Sequence, residues 1–108
     1  LFFLRIFFLI HHIGCSQPLY SAESKFNSGC GWPAFDKCYE GALKVEVDES
    51  FGMKRIEIMC ANCDGHLGHV FEGESFTPTN ERHCVNSLSV VYVEDPHEKE
   101  EVRITANL

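Results

Sequence analysis

The sequence predicts a small, mainly β protein of a single domain, and three observations carry that prediction. At 108 residues and 12.3 kDa the chain has room for one compact domain. Two short stretches, Leu43 to Asp48 and Arg55 to Ile58, alternate apolar with charged residues, as half-buried strands do. Val85 to Val93 is a strongly β-prone run, read as a central strand, and nothing in the chain shows the helical periodicity of a βαβ unit.

Composition sets the outer limits. Hydrophobic residues make up 44% and charged residues 23%, which excludes wholesale disorder and a membrane bundle. Sixteen acidic against nine basic residues give a net charge of -7, which repels phosphate backbones, so no nucleic-acid partner is expected. What departs from average is six Cys and six His, an inventory of soft ligands and nucleophiles.

Taken in order, the chain begins with an apolar stretch, residues 1–10, broken only by Arg5. It is about half the ~20 residues a bilayer-spanning helix needs, so no stable membrane insertion is expected. Its readings are a buried strand, a targeting leader or the artefact of a fragment, and residues 1–14 are set apart on that ground. The domain is expected over 15–93. From Cys15 the chain turns polar, and Ser28-Gly-Cys30-Gly-Trp32-Pro33 reads as a tight turn. Gly52 separates the two alternating strands and suggests a hairpin. Glu72 to Asn80, with Gly73 and Pro78, reads as a loop. Residues 94–108 are Glu-rich and read as an acidic solvated tail or appended helix.

The second strand runs into Cys60-Ala-Asn-Cys63-Asp-Gly65, the strand, paired thiolates and glycine turn of a zinc knuckle. A tetrahedral zinc needs about four ligands, and His12-Ile-Gly-Cys15 offers the second pair at the same spacing. Three thiolates and one imidazole form an accepted structural set, although His66 or His69 stands as an alternative fourth ligand to His12. Cys84 lies outside the knuckles, beside Arg82 and His83, whose positive charge favours a nucleophilic thiolate.

Four motifs in order resemble the type B methionine sulfoxide reductases: Ser28-Gly-Cys30-Gly-Trp32-Pro33-Ala-Phe35, Gly52 to Ile58, Cys60 to Phe71, and Glu81-Arg82-His-Cys84-Val-Asn86-Ser87. The resemblance runs from about Cys15 to about Val91. It implies twisted antiparallel sheets of the β-tent type, a structural zinc remote from the active site, and reduction of the R epimer of methionine sulfoxide, in proteins and more weakly free. Each sulfoxide epimer has its own reductase, so the pocket must be stereospecific. The resemblance implies Cys84 as nucleophile passing through a sulfenic acid. It makes Cys30 the resolving thiol of a Cys30–Cys84 disulfide, with thioredoxin as reductant. It implies proton handling by His69 and His66, active-site roles for Arg82 and Asn86, and a substrate pocket formed by Trp32 and Phe71. Cys38 matches no family position and reads as a spare thiol.

Three departures stand out: His12 occupies a position where the family has Cys, Glu72-Gly-Glu74 replaces an acidic position that is often Asp, and the apolar stretch Leu1 to Ile10 differs from the family's polar lead-in. A monomer in the cytoplasm is expected, with organellar or secretory targeting as the alternative. The competing functions are a non-catalytic zinc-ribbon module binding a protein partner and a general thiol-disulfide oxidoreductase. The first has no use for Cys84, and the second normally keeps both redox thiols in one Cys-x-x-Cys.

Overall fold

The computed structural model describes residues 7–95 and 99–104. Among these, the chain folds into strands joined by turns and short 3-10 segments. In order the strands are β1 (Phe7–His12), β2 (Pro18–Ser21), β3 (Lys25–Phe26), β4 (Ala34–Phe35), β5 (Cys38–Tyr39) and β6 (Leu43–Asp48). They continue as β7 (Arg55–Cys60), β8 (His66–Glu72), β9 (Glu81–Val85), β10 (Val90–Asp95) and β11 (Glu101–Val102). A six-stranded sheet runs β3-β4-β9-β8-β7-β6, a three-stranded sheet runs β10-β1-β2, and β11 pairs with β5. Every pairing is antiparallel. The mainly β, antiparallel single domain expected from the sequence is therefore the fold observed. No helix of the described residues is long and apolar enough to cross a membrane.

The alternating strands form as their pattern requires. β6 and β7 pair from Leu43 opposite Cys60 to Asp48 opposite Arg55, around a turn in which Gly52 takes φ +72°. Ile56 and Ile58 point inward to join Leu67, Val70 and Val85 from β8 and β9. From the smaller sheet Leu9, Ile10, Leu19 and Tyr20 close over them, with Tyr20 stacked on Phe35 at 4.2 Å between ring centroids.

Residues 7–12 of the apolar beginning form a strand, with Leu9 and Ile10 in the core and β1 central in its sheet. Residues 1–6 lie outside the described residues.

Two expectations are corrected. Val85 to Val93 is not one central strand, because Val85 ends β9 in the large sheet and Val90 starts β10 in the small one. Asn86 makes the break: its side-chain oxygen accepts the Leu88 N–H at 2.9 Å and caps a short 3-10 turn over Ser87–Ser89. The Glu-rich end is only partly solvated where it is described. Val102 and Ile104 pack against the core, β11 pairs with Cys38–Tyr39, and the Ile104 N–H donates to Glu81 Oε1 at 3.1 Å. Val102 and Ile104 alternate with Glu101 and Arg103, a short strand signal inside a charged stretch.

Candidate active site and metal-ligating cluster

β9 sorts its side chains by period two: Glu81, His83 and Val85 enter the core, while Arg82 and Cys84 face the other side of the sheet. Cys84 stands directly opposite His69 on β8 and Ala34 on β4, and Arg82 stands opposite Phe71. The backbones meet closely here, since a Cβ on Gly68 would lie 1.9 Å from the Cys84 carbonyl oxygen. Only glycine fits that position.

His83 does not assist Cys84, contrary to the sequence expectation. It is fully buried on the core side, 2.8 Å from both the Tyr20 hydroxyl and Glu81 Oε1. Neighbours in sequence along a strand point to opposite faces, so proximity in the chain misleads here.

Cys30 reaches Cys84 from the turn before β4. Gly29 and Gly31 flank it with φ of +76° and +87°, a left-handed backbone that folds the loop back over the strand. The two Sγ atoms lie 2.9 Å apart, and Cys30 Sγ is also 3.2 Å from the Trp32 carbonyl oxygen. Burial works to raise the Cys30 thiol, but hydrogen bonding from Cys84 and Ser28 outweighs it and brings the group down to about 7. Burial and the neighbouring Cys30 push Cys84 up to about 11, against the pull of Arg82. Of the two sulfurs, the more exposed Cys30 is therefore the one whose thiol gives up its proton more readily. The expectation that local positive charge leaves Cys84 as the thiolate is reversed by its burial.

Beside this pair lies a carboxylate that the motif reading passed over. Ile58 and Met59 flank a register shift between β7 and β8, so Ile58 pairs with Gly68 while Met59 pairs with His66. This bulge turns His66 onto the same face as His69, three residues away, and both reach Glu57. The His66 and His69 Nε2 atoms are each 2.8 Å from Glu57 Oε2. Arg55 Nη2 lies 2.5 Å from His69 Nε2. Hydrogen bonding from His66, with His69 and Arg55 adding positive field, holds the Glu57 carboxyl below its ordinary range. The sequence signal was present: Glu57 alternates with the buried Ile56 and Ile58, which fixes it on the face of Cys84.

Arg82 is clamped by Glu74, with Nε to Oε1 at 2.6 Å and Nη2 to Oε2 at 2.9 Å, and its guanidinium lies 4.2 Å from the Phe71 ring centroid. Glu74 thus supplies a carboxylate where the sequence departs from the common Asp. Trp32, 46% exposed, lines a cleft of about 270 Å³ with Lys25, Phe26 and Pro33. Phe71 lines a different cleft, about 440 Å³, with Met53, Arg55 and His69. Asn86 spends its side-chain oxygen on the turn after β9. Cys38 belongs to neither cluster; burial pushes its thiol up to about 12 and its Sγ faces the Val102 carbonyl.

The knuckles are structural twins. The His12 N–H donates to the Gln17 carbonyl and the Ser16 N–H to the His12 carbonyl, both at 2.9 Å. The Cys60 N–H donates to the Gly65 carbonyl at 2.8 Å and the Asp64 N–H to the Cys60 carbonyl at 2.9 Å. Ser16 and Asp64 take the same left-handed φ, 62° and 65°. His12 therefore occupies the place in its turn that Cys60 occupies in the other.

The ligand atoms of His12, Cys15, Cys60 and Cys63 all lie within 4.8 Å of one another. Tetrahedral bonds of about 2.3 Å to sulfur and 2.0–2.1 Å to nitrogen set sulfurs about 3.8 Å apart and sulfur from nitrogen about 3.6 Å. Cys15 Sγ is 3.5 Å from Cys60 Sγ, and Cys63 Sγ is 3.6 Å from His12 Nδ1, so the four residues fit zinc. Hydrogen bonding to Asn62 leads in lowering the Cys15 thiol to about 6. His66 and His69 gather with Glu57 instead, which removes them as alternatives to His12 in this cluster.

The SelR domain family matches residues 9–94. The chain belongs to this family, that of the type B methionine sulfoxide reductases. Among curated relatives, the chloroplastic peptide methionine sulfoxide reductase B3 of Oryza sativa subsp. japonica is 58% identical over 81 residues, covering 74% of this chain and 34% of that protein. Peptide methionine sulfoxide reductase B3 of Arabidopsis thaliana is 57% identical over 81 residues, covering 74% of this chain and 45% of that protein. Peptide methionine sulfoxide reductase B5 of Oryza sativa subsp. japonica is 56% identical over 80 residues, 73% of this chain and 57% of that one. The SelR chain thus spans between about a third and just over half of the length of these relatives.

Proposed function

We propose that this chain reduces the R epimer of methionine sulfoxide in proteins, and more weakly the free amino acid. The observation that carries the reading is the 2.9 Å approach of Cys30 Sγ to Cys84 Sγ on a face where His69 stands opposite Cys84. Family membership and relatives named peptide methionine sulfoxide reductase support it. A zinc-ribbon module that only binds a partner has no need of a paired thiol away from its metal.

The chemistry begins by delivering the charge of the pair to Cys84. Its proton passes to Cys30 as substrate binds, and the Cys84 thiolate attacks the sulfoxide sulfur. The sulfoxide oxygen accepts a proton from an imidazole of the Glu57, His66 and His69 group, of which His69 is nearest along the strand. The hydroxyl then shifts from the substrate sulfur to Cys84 as the new sulfur–sulfur bond breaks with its electron pair left on methionine, which departs and leaves Cys84 as a sulfenic acid. Cys30 then attacks the Cys84 sulfur, the S–O bond breaks, water departs, and a Cys30–Cys84 disulfide forms. Thioredoxin, a dithiol reductant, exchanges with that disulfide and restores both thiols. Arg82, held by Glu74, keeps a positive charge beside the reacting sulfur, and Trp32 and Phe71 offer apolar surface for the substrate's methyl group. Asn86 starts the turn that ends β9 two residues beyond Cys84, and so steadies the strand end.

His12, Cys15, Cys60 and Cys63 would hold a structural zinc, which supplies folding energy and takes no part in the reaction. The Gly14 N–H lies 3.2 Å from His12 Nδ1, a contact that a metal on that nitrogen displaces. We read the chain as a monomer acting in the cytoplasm, with organellar or secretory targeting as the alternative.

The test is direct. Purified chain with dithiothreitol should reduce R-methionine sulfoxide in a peptide and leave the S epimer untouched, and Cys84→Ser should bring turnover to background. Full turnover in Cys84→Ser, or none in the parent chain, rejects the reading.

A further inference from the structure

We propose that Glu57, His66 and His69 form a second cation site, one that takes a divalent first-row transition ion and is separate from the cysteine knuckles. Their ligand atoms all lie within 4.8 Å of one another. Two imidazole nitrogens and one carboxylate oxygen on a single face are a donor set that suits such ions and leaves the remaining positions open. The spacing fits. Bonds of about 2.1 Å at right angles set adjacent donors about 3 Å apart, and both His Nε2 atoms stand 2.8 Å from Glu57 Oε2.

Access and support are also built in. A cleft of about 440 Å³ lined by Met53, Arg55 and Phe71 includes His69, one of the three donors. All three donors sit on the paired strands β7 and β8, brought to one face by the bulge at Ile58–Met59, so binding demands little reordering of backbone. Arg55 is the competitor. Its Nη2 is 2.5 Å from His69 Nε2 and 3.8 Å from Glu57 Oε1, where it supplies the positive charge an ion would bring. Its side chain is 53% exposed and can swing into solvent as the ion enters.

Occupancy would block the reaction, a consequence that rests on the reductase reading above. An Nε2 lone pair committed to a metal neither accepts nor delivers a proton, so the imidazoles fall silent while the ion is bound. The site itself needs no turnover, and its test uses none.

The protein as purified is titrated with Co²⁺ and followed by visible absorption and calorimetry. The expected result is one bound equivalent with ligand-field bands and no thiolate-to-cobalt charge transfer. Any ion entering the cysteine cluster declares itself by that charge-transfer band. Glu57→Gln and His66→Gln should each weaken the nitrogen and oxygen equivalent by about tenfold or more, and Arg55→Gln should tighten it. Cys84→Ser, which has no turnover, should bind it unchanged, so failure of the reductase reading and failure of this site are separate outcomes. Charge transfer in every bound equivalent, or equal binding in the parent chain and in Glu57→Gln, overturns the proposal.

Discussion

Cys30 and Cys84 meet at 2.9 Å between their sulfurs, and it is the exposed partner, Cys30, whose thiol is drawn down to about 7 while the buried Cys84 is pushed up to about 11. Burial opposes a thiolate at Cys84, so the function proposed above requires its proton to move to the adjacent Cys30 sulfur when substrate binds.

Alkylation reads this directly. In the reduced protein, iodoacetamide should label Cys30 before Cys84, with a rate that rises through about pH 7, because a lowered thiol gives up its proton as pH climbs past that value. Cys84 should stay unlabelled until far more alkaline pH. In Cys30→Ser the Cys84 profile should move to lower pH, since its neighbour's raising effect is gone and Arg82 remains. That variant should keep turnover with dithiothreitol and lose it with thioredoxin. Equal loss with both reductants contradicts a resolving role.

Glu57 orients two imidazoles, and its amide analogue cannot hold them both. For Glu57→Gln, kcat with dithiothreitol should fall by about a hundredfold or more, while the labelling rate of Cys30 stays as in the parent. A variant with unchanged kcat would show that the carboxylate plays no part in proton transfer.

Zinc binding should depend on His12. His12→Ala should lose more than about a hundredfold in zinc affinity and melt at lower temperature, whereas His12→Cys should retain the metal. Gly65→Ala tests the same ring indirectly, because its Cβ would lie 3.0 Å from His12 Nε2. It should weaken metal binding by crowding His12 without replacing any ligand. Full metal content in His12→Ala rules that residue out.

Gly68→Ala places a methyl 1.9 Å from the Cys84 carbonyl oxygen. The strands must part, so urea unfolding should show a loss of about 3 kcal/mol or more. Turnover should fall with it, since β9 carries the nucleophile. A parent-like midpoint would mean that β8 and β9 separate at little cost.

What the sequence disclosed follows from the range of each interaction. Alternation in Leu43–Asp48 and Arg55–Ile58 is local, and both strands were legible for that reason. The pairing of His12-x-x-Cys15 with Cys60-x-x-Cys63 was legible from repeated spacing, which the identical turns explain. Glu57 was missed because its convergence with His66 and His69 depends on a bulge between two strands, invisible in either alone. The charge on Cys84 was misjudged because sequence neighbours were counted and burial was not; His83 points into the core and Arg82 is outweighed. The break at Asn86 and the strand at Glu101–Val102 were lost inside longer runs of like composition.

The central strand of the small sheet has a consequence for how the protein is made. β1 pairs with β10 along its whole length, from Phe7 opposite Asp95 to His12 opposite Val90, so nearly the whole chain separates partners. A ribosome delivers β1 long before β10, and until β10 emerges Leu9 and Ile10 have only β2 to pair against. The knuckle at His12 and Cys15 waits at the end of that strand. A metal caught early between the two knuckles would fasten the first strand near the middle of the chain and shorten the search its last partner must make.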